Sequence, residues 1–384
     1  MRFEFATATR IIFGPGTVQE LAAAAASLGQ RALLVVGKSA ERTDSVTQDL
    51  EAAGIRVTRY QVCGEPTVEL VRRGVEQARA AKTDLVIAIG GGSVIDAGKA
   101  VAALLPNEGS ILDYLEVVGK GLALEAASLP FIAVPTTAGT GSEVTRNAVL
   151  AVSEQQVKVS LRGPTLLPRL AIVDPELTYG VPPDVTAASG MDALAQLIEP
   201  FVSTGSNAMT DALCRDGIRR AARTIRTAHA HPQDASARAD MALAAVYSGM
   251  ALANARLGAV HGFAGPIGGL FPAPHGAICG RLLPHVMEAN IRILRGRAPE
   301  SEALRRYDEV GQILNNRAGA RGEDGAAWIQ ELGADFDIPA LGTYGMTEVH
   351  FPDVVARSAR SSSMKGNPVA LTETEMTEIL GAAL

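Results

Sequence analysis

The sequence predicts an α/β N-terminal domain built on a parallel sheet, followed by an all-α C-terminal domain. Short apolar strands alternate with helices through the first half, which is typical of right-handed βαβ units. Segments rich in glycine and threonine directly follow two of these strands. Beyond residue 181 the strand patterns stop and long helices rich in Ala, Leu and Met follow. We therefore expect two domains, residues 1–181 and 182–384.

Composition argues against several classes of protein. The chain has 384 residues and a net charge of −6, which disfavours nucleic acid or an anionic membrane as the main partner. Its three cysteines are scattered and form no CxxC pair. Neither a disulfide framework nor a thiolate zinc site is therefore indicated, and a cytoplasmic location fits. No secretory signal is visible, and no apolar run reaches the ~20 residues that span a bilayer.

In the first domain, strands and helices are expected to alternate after an edge strand over residues 1–13. Further strands are predicted at 31–36, 56–62, 84–89 and 131–134, and the segments 158–162 and 171–173 complete the domain. Four helices are predicted between the strands. Two of them end at residues 28 and 53, and the other two span 68–81 and 94–105.

Two loops at the ends of predicted strands have the composition of a nucleotide site. Residues 90–93, three glycines and a serine, let backbone N–H groups approach a phosphate at a helix N-terminus. Residues 135–143 add three threonine hydroxyls without bulk. Loops at the carboxyl ends of parallel strands share one crevice, the usual ligand site of open α/β sheets. Each loop alone is also explained as a turn that binds nothing.

The end of the second strand bears on the choice of cofactor. NAD enzymes often place an acidic residue there to bind the ribose hydroxyls. This chain has Gly37, Lys38 and Ser39 instead, so no carboxylate repels a 2′-phosphate. We hypothesise that NADPH is accepted at least as well as NADH.

Residues 181–184, with two prolines, predict the linker to the helical domain. Helices are then expected at 186–201, 207–228, 235–253, 282–294, 300–315 and 372–380. Gly258, Gly262 and the Gly265-Pro266 pair interrupt the pattern around His261, so helix ends or loops are expected there. His285, which follows Pro284 at a predicted helix start, is expected to be structural.

The helical half also contains side chains that suit a divalent metal. Asp192 and Gln196 are four residues apart on a predicted helix and therefore project from one face. His261 and His275 lie in an apolar run. A carboxylate, an amide oxygen and two imidazoles together suit a transition metal with an open position. Taken singly, a His on an apolar face is more often a core residue than a ligand, and the Asp/Gln pair is also explained as a solvated helix face.

Together these motifs resemble those of the iron-containing (group III) alcohol dehydrogenase family over nearly the whole chain. The stretches that carry the resemblance are residues 13–16, 90–99, 135–143, 190–194 and 261–275. The resemblance implies the dehydroquinate synthase-like architecture, with NAD or NADP on the first domain and Fe²⁺ or Zn²⁺ on the helical one, in the cleft between them. It implies cofactor contacts at Gly91, Gly92, Ser93, Thr136, Thr137, Thr140 and Lys158, with Gly37 at the ribose.

The resemblance also implies that the metal is held by one Asp and three His. Asp192, His261 and His275 match three of these places, whereas the fourth is Gln196. A further His that many relatives carry near the nicotinamide is Gly265 here. These are two departures inside the expected active site.

Gln196 is still predicted as a ligand through its amide oxygen, although that neutral donor is weaker than imidazole for transition metals. Glu199 is not a substitute. It lies about 10 Å along the helix from Asp192 at 1.5 Å per residue. Ligands that share an ion lie only ~2 Å from it.

We expect a metal-dependent alcohol dehydrogenase or aldehyde reductase that moves a hydride between NAD(P) and a small alcohol or carbonyl, with His261 and His275 as catalytic residues. A metal-independent enzyme resembling maleylacetate reductases, with a His as general acid, is one alternative. A nucleotide-binding homologue without redox chemistry is another. Phe263 and Phe271 near His261 favour a partly apolar substrate, and the resemblance implies a homodimer or larger homo-oligomer.

Overall fold

The computed structural model describes residues 2–38 and 43–384, which form two compact units. The α/β unit contains Thr7–Thr137 and Gly141–Tyr179. The helical unit contains Gly180–Leu384 together with Ala138–Thr140 and the N-terminal residues up to Ala6. The predicted fold class, a parallel α/β part followed by an all-α part, is confirmed. The domain boundary at 181 and 182 stays a prediction.

A six-stranded parallel sheet is the centre of the α/β unit. The strands of the unit are β1 (Ile11–Phe13), β2 (Arg31–Val36), β3 (Arg56–Gln61), β4 (Leu85–Gly90), β5 (Phe131–Pro135), β6 (Asn147–Val152), β7 (Val157–Arg162) and β8 (Leu170–Val173). Its helices are α1 (Leu21–Ala26), α2 (Asp44–Ala52), α3 (Val68–Ala80), α4 (Gly92–Leu104) and α5 (Ile111–Tyr114). The order in the sheet is β1-β8-β5-β4-β2-β3, and every pair is parallel.

Burial explains the strand sequences. β4 and β5 are buried along their whole length, and β2 from its second residue onward. Strands covered by helices on both faces are continuous apolar runs, as the sequence of β4 is. The predicted edge strand over residues 1–13 is shorter in the structure, because only Ile11–Phe13 pairs with β8.

β6 and β7 form a separate antiparallel hairpin, of which the sequence reading missed β6. The buried Lys99 of α4 reaches this hairpin. Its Nζ donates to Thr145 Oγ1 at 2.8 Å and to the Asn147 carbonyl at 2.6 Å. Asp96 of the same helix accepts from the Val149 N–H at 3.0 Å. Because a buried charge needs partners, these contacts give Lys99 a structural role.

The helical unit consists of nine α-helices among the described residues. They are α6 (Pro183–Val202), α7 (Ala208–Ala230), α8 (Ala235–Asn254), α9 (Ala259–Leu270), α10 (His275–Arg297), α11 (Glu302–Asn315), α12 (Gly322–Asp335), α13 (Phe351–Ala359) and α14 (Glu373–Ala383). Buried side chains of these helices form one continuous apolar core. The sequence reading missed α9, α12 and α13.

Small residues let α6 and α10 approach closely. A Cβ on Gly276 would lie 2.2 Å from the carbonyl oxygen of Ala188, and one on Gly280 would lie 2.9 Å from the Met191 Cβ. This close packing brings the first turn of α10 against the middle of α6. The predicted metal ligands lie at that crossing.

The predicted interruptions around His261 were wrong. α9 continues through Gly262, Gly265 and Pro266, and α10 continues through Pro284. Proline removes one intrahelical hydrogen bond. The buried apolar residues on either side of each proline keep the helix intact, since tertiary packing supplies most helical stability. His285 is therefore in the middle of α10 and not at a helix start.

Among the described residues, no single helix has both the length and the apolarity to cross a membrane. α8 and α9 meet those limits only as a pair, bent by 95° at the break between them.

Candidate active site

Asp192 and Gln196 lie on one face of α6, with only 1% and 2% of their surfaces exposed. The Gln196 amide donates from Nε2 to Asp192 Oδ2 at 3.0 Å. The other two oxygens of this pair, Asp192 Oδ1 and Gln196 Oε1, have no hydrogen-bond partner. A buried acceptor without a partner costs free energy, so a missing cation or donor is expected beside them.

His261 lies in the first turn of α9 and is oriented by Glu199 of α6. Its Nδ1 donates to Glu199 Oε2 at 2.5 Å, and the Val260 N–H donates to Glu199 Oε1 at 2.7 Å. With the proton held on Nδ1, the lone pair of Nε2 is free to bind a metal. Glu199 is therefore not a ligand, as expected, but a side chain that positions one.

His275 is the first residue of α10, and Cys279 follows one turn later on the same helix. The Cys279 Sγ lies 3.8 Å from His261 Nε2 and 3.7 Å from His275 Nε2. Cys279 was not predicted to be a ligand, because the scattered cysteines form no CxxC pair and a thiolate zinc site was therefore not indicated. The four-residue spacing from His275 is the signal that would have found it.

The four groups converge on one point. Asp192 Oδ1 lies 3.3 Å from His261 Nε2 and 3.7 Å from His275 Nε2. The donor atoms of these three residues and of Cys279 all lie within 4.8 Å of one another. An unpartnered carboxylate oxygen that faces two imidazole nitrogens fits a divalent cation. The His275 side chain is 35% exposed, which leaves the cluster accessible from that side.

The charges of the cluster also indicate a cation. Burial opposes ionisation of Asp192, yet the neighbouring His275 and His261 lower the pKa of its carboxyl below the ordinary value. Burial likewise opposes the charge of His275, but Cys279 and Asp192 raise the pKa of its imidazole to about 9. Without a metal, the anionic groups thus retain protons on the imidazoles. A divalent cation would replace those protons.

The loops predicted to bind the nucleotide come together at the carboxyl ends of β2, β4 and β5. A Cβ on Gly91 would lie 3.4 Å from the Thr137 Oγ1, and one on Gly37 would lie 3.7 Å from Val94 of α4. Thr136 follows β5 directly, and its N–H donates to the Gly90 carbonyl at 3.0 Å.

Gly92 and Ser93 open α4, and Gly91 caps this helix without any side-chain hydrogen bond. The first backbone N–H groups of α4 therefore remain available to an anion.

Lys158 and Thr140 are two further residues predicted to contact the cofactor. Lys158 is on β7, and its Nζ forms an ion pair with Glu65 at 3.0 Å. Thr140 belongs to the segment that groups with the helical unit. Ser39 lies outside the described residues.

Gly265 lies one turn beyond His261 on α9, and a Cβ built there would meet nothing within 4 Å. The place that the resemblance assigns to a further His is thus open space. Phe263, in contrast, does not line this site. It is fully buried in the helical core, because two residues along a helix turn the side chain away from the His261 face. Only Phe271 of the two predicted aromatic residues stays partly exposed.

Known protein families match both parts of the chain. Residues 8–175 match the iron-containing alcohol dehydrogenase family, and residues 186–384 match the C-terminal domain of the Fe-containing alcohol dehydrogenase family. Long-chain-alcohol dehydrogenase 1 of Geobacillus thermodenitrificans (strain NG80-2) is 35% identical over 392 residues, covering 97% of this chain and 96% of that protein.

Solved structures agree along the full length. A 1,3-propanediol oxidoreductase superposes with a TM-score of 0.91 at 33% identity, with 100% of both chains covered. The sulfoacetaldehyde reductase of Bifidobacterium kashiwanohense in complex with NAD⁺ has a TM-score of 0.87 at 29% identity, covering 100% of this chain and 99% of that one.

Proposed function

The chain belongs to the iron-containing alcohol dehydrogenase family, and from that premise we propose which of its residues carry out the reaction. It is an NAD(P)-dependent oxidoreductase that acts on CH–OH groups, interconverting alcohols with aldehydes or other carbonyls. We assign the metal to Asp192, His261 and His275, with Gln196 beside them. The unpartnered Asp192 Oδ1, which faces both imidazoles, is the observation that carries this assignment.

A divalent ion held by these side chains would act as a Lewis acid, stabilising the negative charge that develops on the substrate oxygen as hydride leaves or arrives. NAD(P) supplies the acceptor or donor of that hydride. The protein itself supplies orientation. Glu199 keeps the proton of His261 on Nδ1, and Gln196 holds Asp192 through its second oxygen. Partners of this kind fix the tautomer and rotamer of a ligand.

Gly265 decides the path of the alcohol proton. No imidazole is present at this position, and the space beside it is open. Because this face of α9 offers no imidazole at position 265, the alcohol proton leaves through water or through the ribose of the cofactor. His261 is unsuited to general acid–base work, because Nδ1 is held by Glu199 and Nε2 faces the ligand cluster.

For the nucleotide we assign the diphosphate to the N-terminus of α4, with Gly91, Gly92 and Ser93 in contact and Thr136 and Thr137 beside them. The free N–H groups of this turn and the positive end of the helix dipole support that assignment. Contacts from Thr140 and Lys158 stay predictions. Lys158 would have to exchange its ion pair with Glu65 for the cofactor.

We further assign dual cofactor use. Gly37 follows β2 directly, and the exposed Lys38 comes next. Neither residue has a carboxylate that would repel a 2′-phosphate on the adenosine ribose. We expect kcat/KM with NADPH to equal or exceed that with NADH. A hundredfold preference for NADH would contradict this assignment.

The decisive experiment is metal removal. Dialysis against a chelator should abolish the reduction of small aldehydes, and Fe²⁺ or Zn²⁺ should restore it, with about one ion per chain by elemental analysis. Full turnover in metal-free protein would instead favour the metal-independent reductase. The buried, unpartnered Asp192 Oδ1 speaks against that alternative, because an enzyme without metal gains nothing from it.

The remaining expectations concern the oligomeric state and the cellular compartment. We expect a homodimer or larger homo-oligomer, measurable by light scattering. A reducing compartment such as the cytoplasm suits Cys63, Cys214 and Cys279, which are free thiols.

A further inference from the structure

We propose that Cys279 is the fourth protein ligand of the metal, in place of the imidazole that Gln196 replaces, and that the resulting Asp192, His261, His275 and Cys279 site is a zinc site. This inference rests on the proposed metal-dependent function and names the ion and its ligands.

Four of the six distances between the donor atoms are close to those of ligands that share one ion, and all six lie within 4.8 Å. With bonds of about 2.3 Å to sulfur and about 2.1 Å to nitrogen or oxygen, a tetrahedral ion separates S from N by about 3.6 Å and N from O by about 3.4 Å. The observed S–N separations are 3.8 and 3.7 Å, and the N–O separations are 3.3 and 3.7 Å. Both kinds of separation agree with the tetrahedral values to within about 0.3 Å. Asp192 Oδ1, unpartnered and buried, faces the same point.

Cys279 is placed there by its helix. It follows His275 by four residues on α10, so the two side chains lie above one another on one face. The thiol is buried, and both nitrogens within hydrogen-bonding reach of its sulfur belong to the proposed ligands. Cys279 thus belongs to the apolar core of the helical unit and also directs its sulfur toward two imidazole nitrogens.

Gln196 has a different role. Its Nε2 already donates to Asp192 Oδ2, and its amide oxygen is a neutral donor that transition metals bind weakly. We assign it to positioning Asp192. With a thiolate and a carboxylate, the site carries two negative charges and a soft ligand, which favours Zn²⁺ over Fe²⁺. Binding of the metal transfers the thiol proton to solvent.

The test uses the apoprotein loaded with Co²⁺, whose thiolate complexes have an intense near-ultraviolet charge-transfer band. A Cys63→Ser, Cys214→Ala background keeps Cys279 as the single thiol and should retain the band. Cys279→Ser should lose it. The same substitution should weaken Zn²⁺ binding, measured by competition with a chromophoric chelator. The loss of affinity should exceed the roughly 10- to 100-fold that follows when a residue that only orients a ligand is replaced. Gln196→Ala should keep the band.

Failures of the two proposals differ. If wild-type protein binds one Co²⁺ but shows no thiolate band, or if Cys279→Ser binds zinc as tightly as wild type, the assignment of Cys279 is overturned while the metal-dependent function stands. If wild-type protein binds neither ion and a chelator leaves turnover unchanged, the proposed function itself fails. The wild-type spectrum decides the question even if Cys279→Ser does not fold.

Discussion

At the level of single side chains, Glu199 decides which nitrogen of His261 carries the ring proton and which one faces the proposed metal site. Its carboxylate accepts from two N–H groups at once, the His261 Nδ1–H and the backbone of Val260. An amide at this position has only one oxygen. If that oxygen keeps the Val260 N–H, the NH₂ group faces the imidazole and moves the ring proton to Nε2, where it blocks ligation.

We therefore predict that Glu199→Gln lowers the affinity for Zn²⁺ by about 10- to 100-fold with little change in secondary structure. Chelator competition and elemental analysis measure the loss. Glu378→Gln, at an exposed ion pair on α14, is the matched control and should bind zinc as wild type does. Wild-type affinity in Glu199→Gln would contradict the tautomer argument.

Glu143 of the α/β unit gives a second prediction, in pH dependence. Burial raises the pKa of its carboxyl from 4.5 to about 7, although Lys99 partly opposes this. A raised carboxyl pKa contributes stability that is complete below the unfolded pKa of 4.5 and is lost as pH rises through about 7. Glu143→Gln lacks this titration.

The free energy of unfolding of Glu143→Gln, relative to that of wild type, should therefore rise between pH 4.5 and about 7. The rise should reach up to about 3 kcal/mol, and the difference should stay constant at higher pH. Thermal unfolding of both proteins across that range measures it. A Tm difference that stays constant from pH 5 to 8 would show that Glu143 titrates normally in the folded protein.

At the scale of secondary structure, α10 depends on glycine at one position and not at another. A Cβ on Gly276 would lie 2.2 Å from the Ala188 carbonyl oxygen of α6, whereas one on Gly296 would meet nothing within 4 Å. Both residues are helical, so the conformational effect of alanine is the same in each. Only the contact between helices differs.

Gly276→Ala should destabilise the helical unit by about 1–3 kcal/mol and weaken zinc binding, because it moves the turn that begins with His275. Gly296→Ala should be neutral or stabilise by up to about 1 kcal/mol. Tm values and zinc affinities of both variants provide the comparison. Equal stability of the two variants would refute the close packing of α6 and α10.

At the scale of the whole molecule, the two ligands should stabilise different units. A ligand that binds only the folded state lowers the population of locally unfolded forms around its site by mass action. Zn²⁺ should slow amide exchange in α6, α9 and the start of α10. NADH should slow it at the first turn of α4 and in the loop after β5. Hydrogen exchange with mass spectrometry resolves these segments, and zinc protection confined to the sheet would contradict the assignment.

Much of this architecture could be predicted because its signals are local. A buried parallel strand is an apolar run, and a glycine turn that leads to a helix is contiguous in sequence, as at β4 and α4. Asp192 and Gln196 were found by helical spacing alone. The prediction was wrong at α9, because glycine and proline in the sequence indicated a break there. In the structure, burial of the neighbouring residues keeps the helix intact.

The sequence by itself determined the α/β-then-helical order, the two loops predicted to bind the nucleotide, and Asp192, His261 and His275 as candidate ligands. Only the tertiary structure decided that Glu199 holds His261, that Phe263 faces the core, and that Cys279 lies between two imidazoles. Those contacts depend on which faces of α6, α9 and α10 meet, and residues up to 87 positions apart then lie within a few ångströms. Periodicity identifies the faces of a helix, but the packing between helices selects their partners.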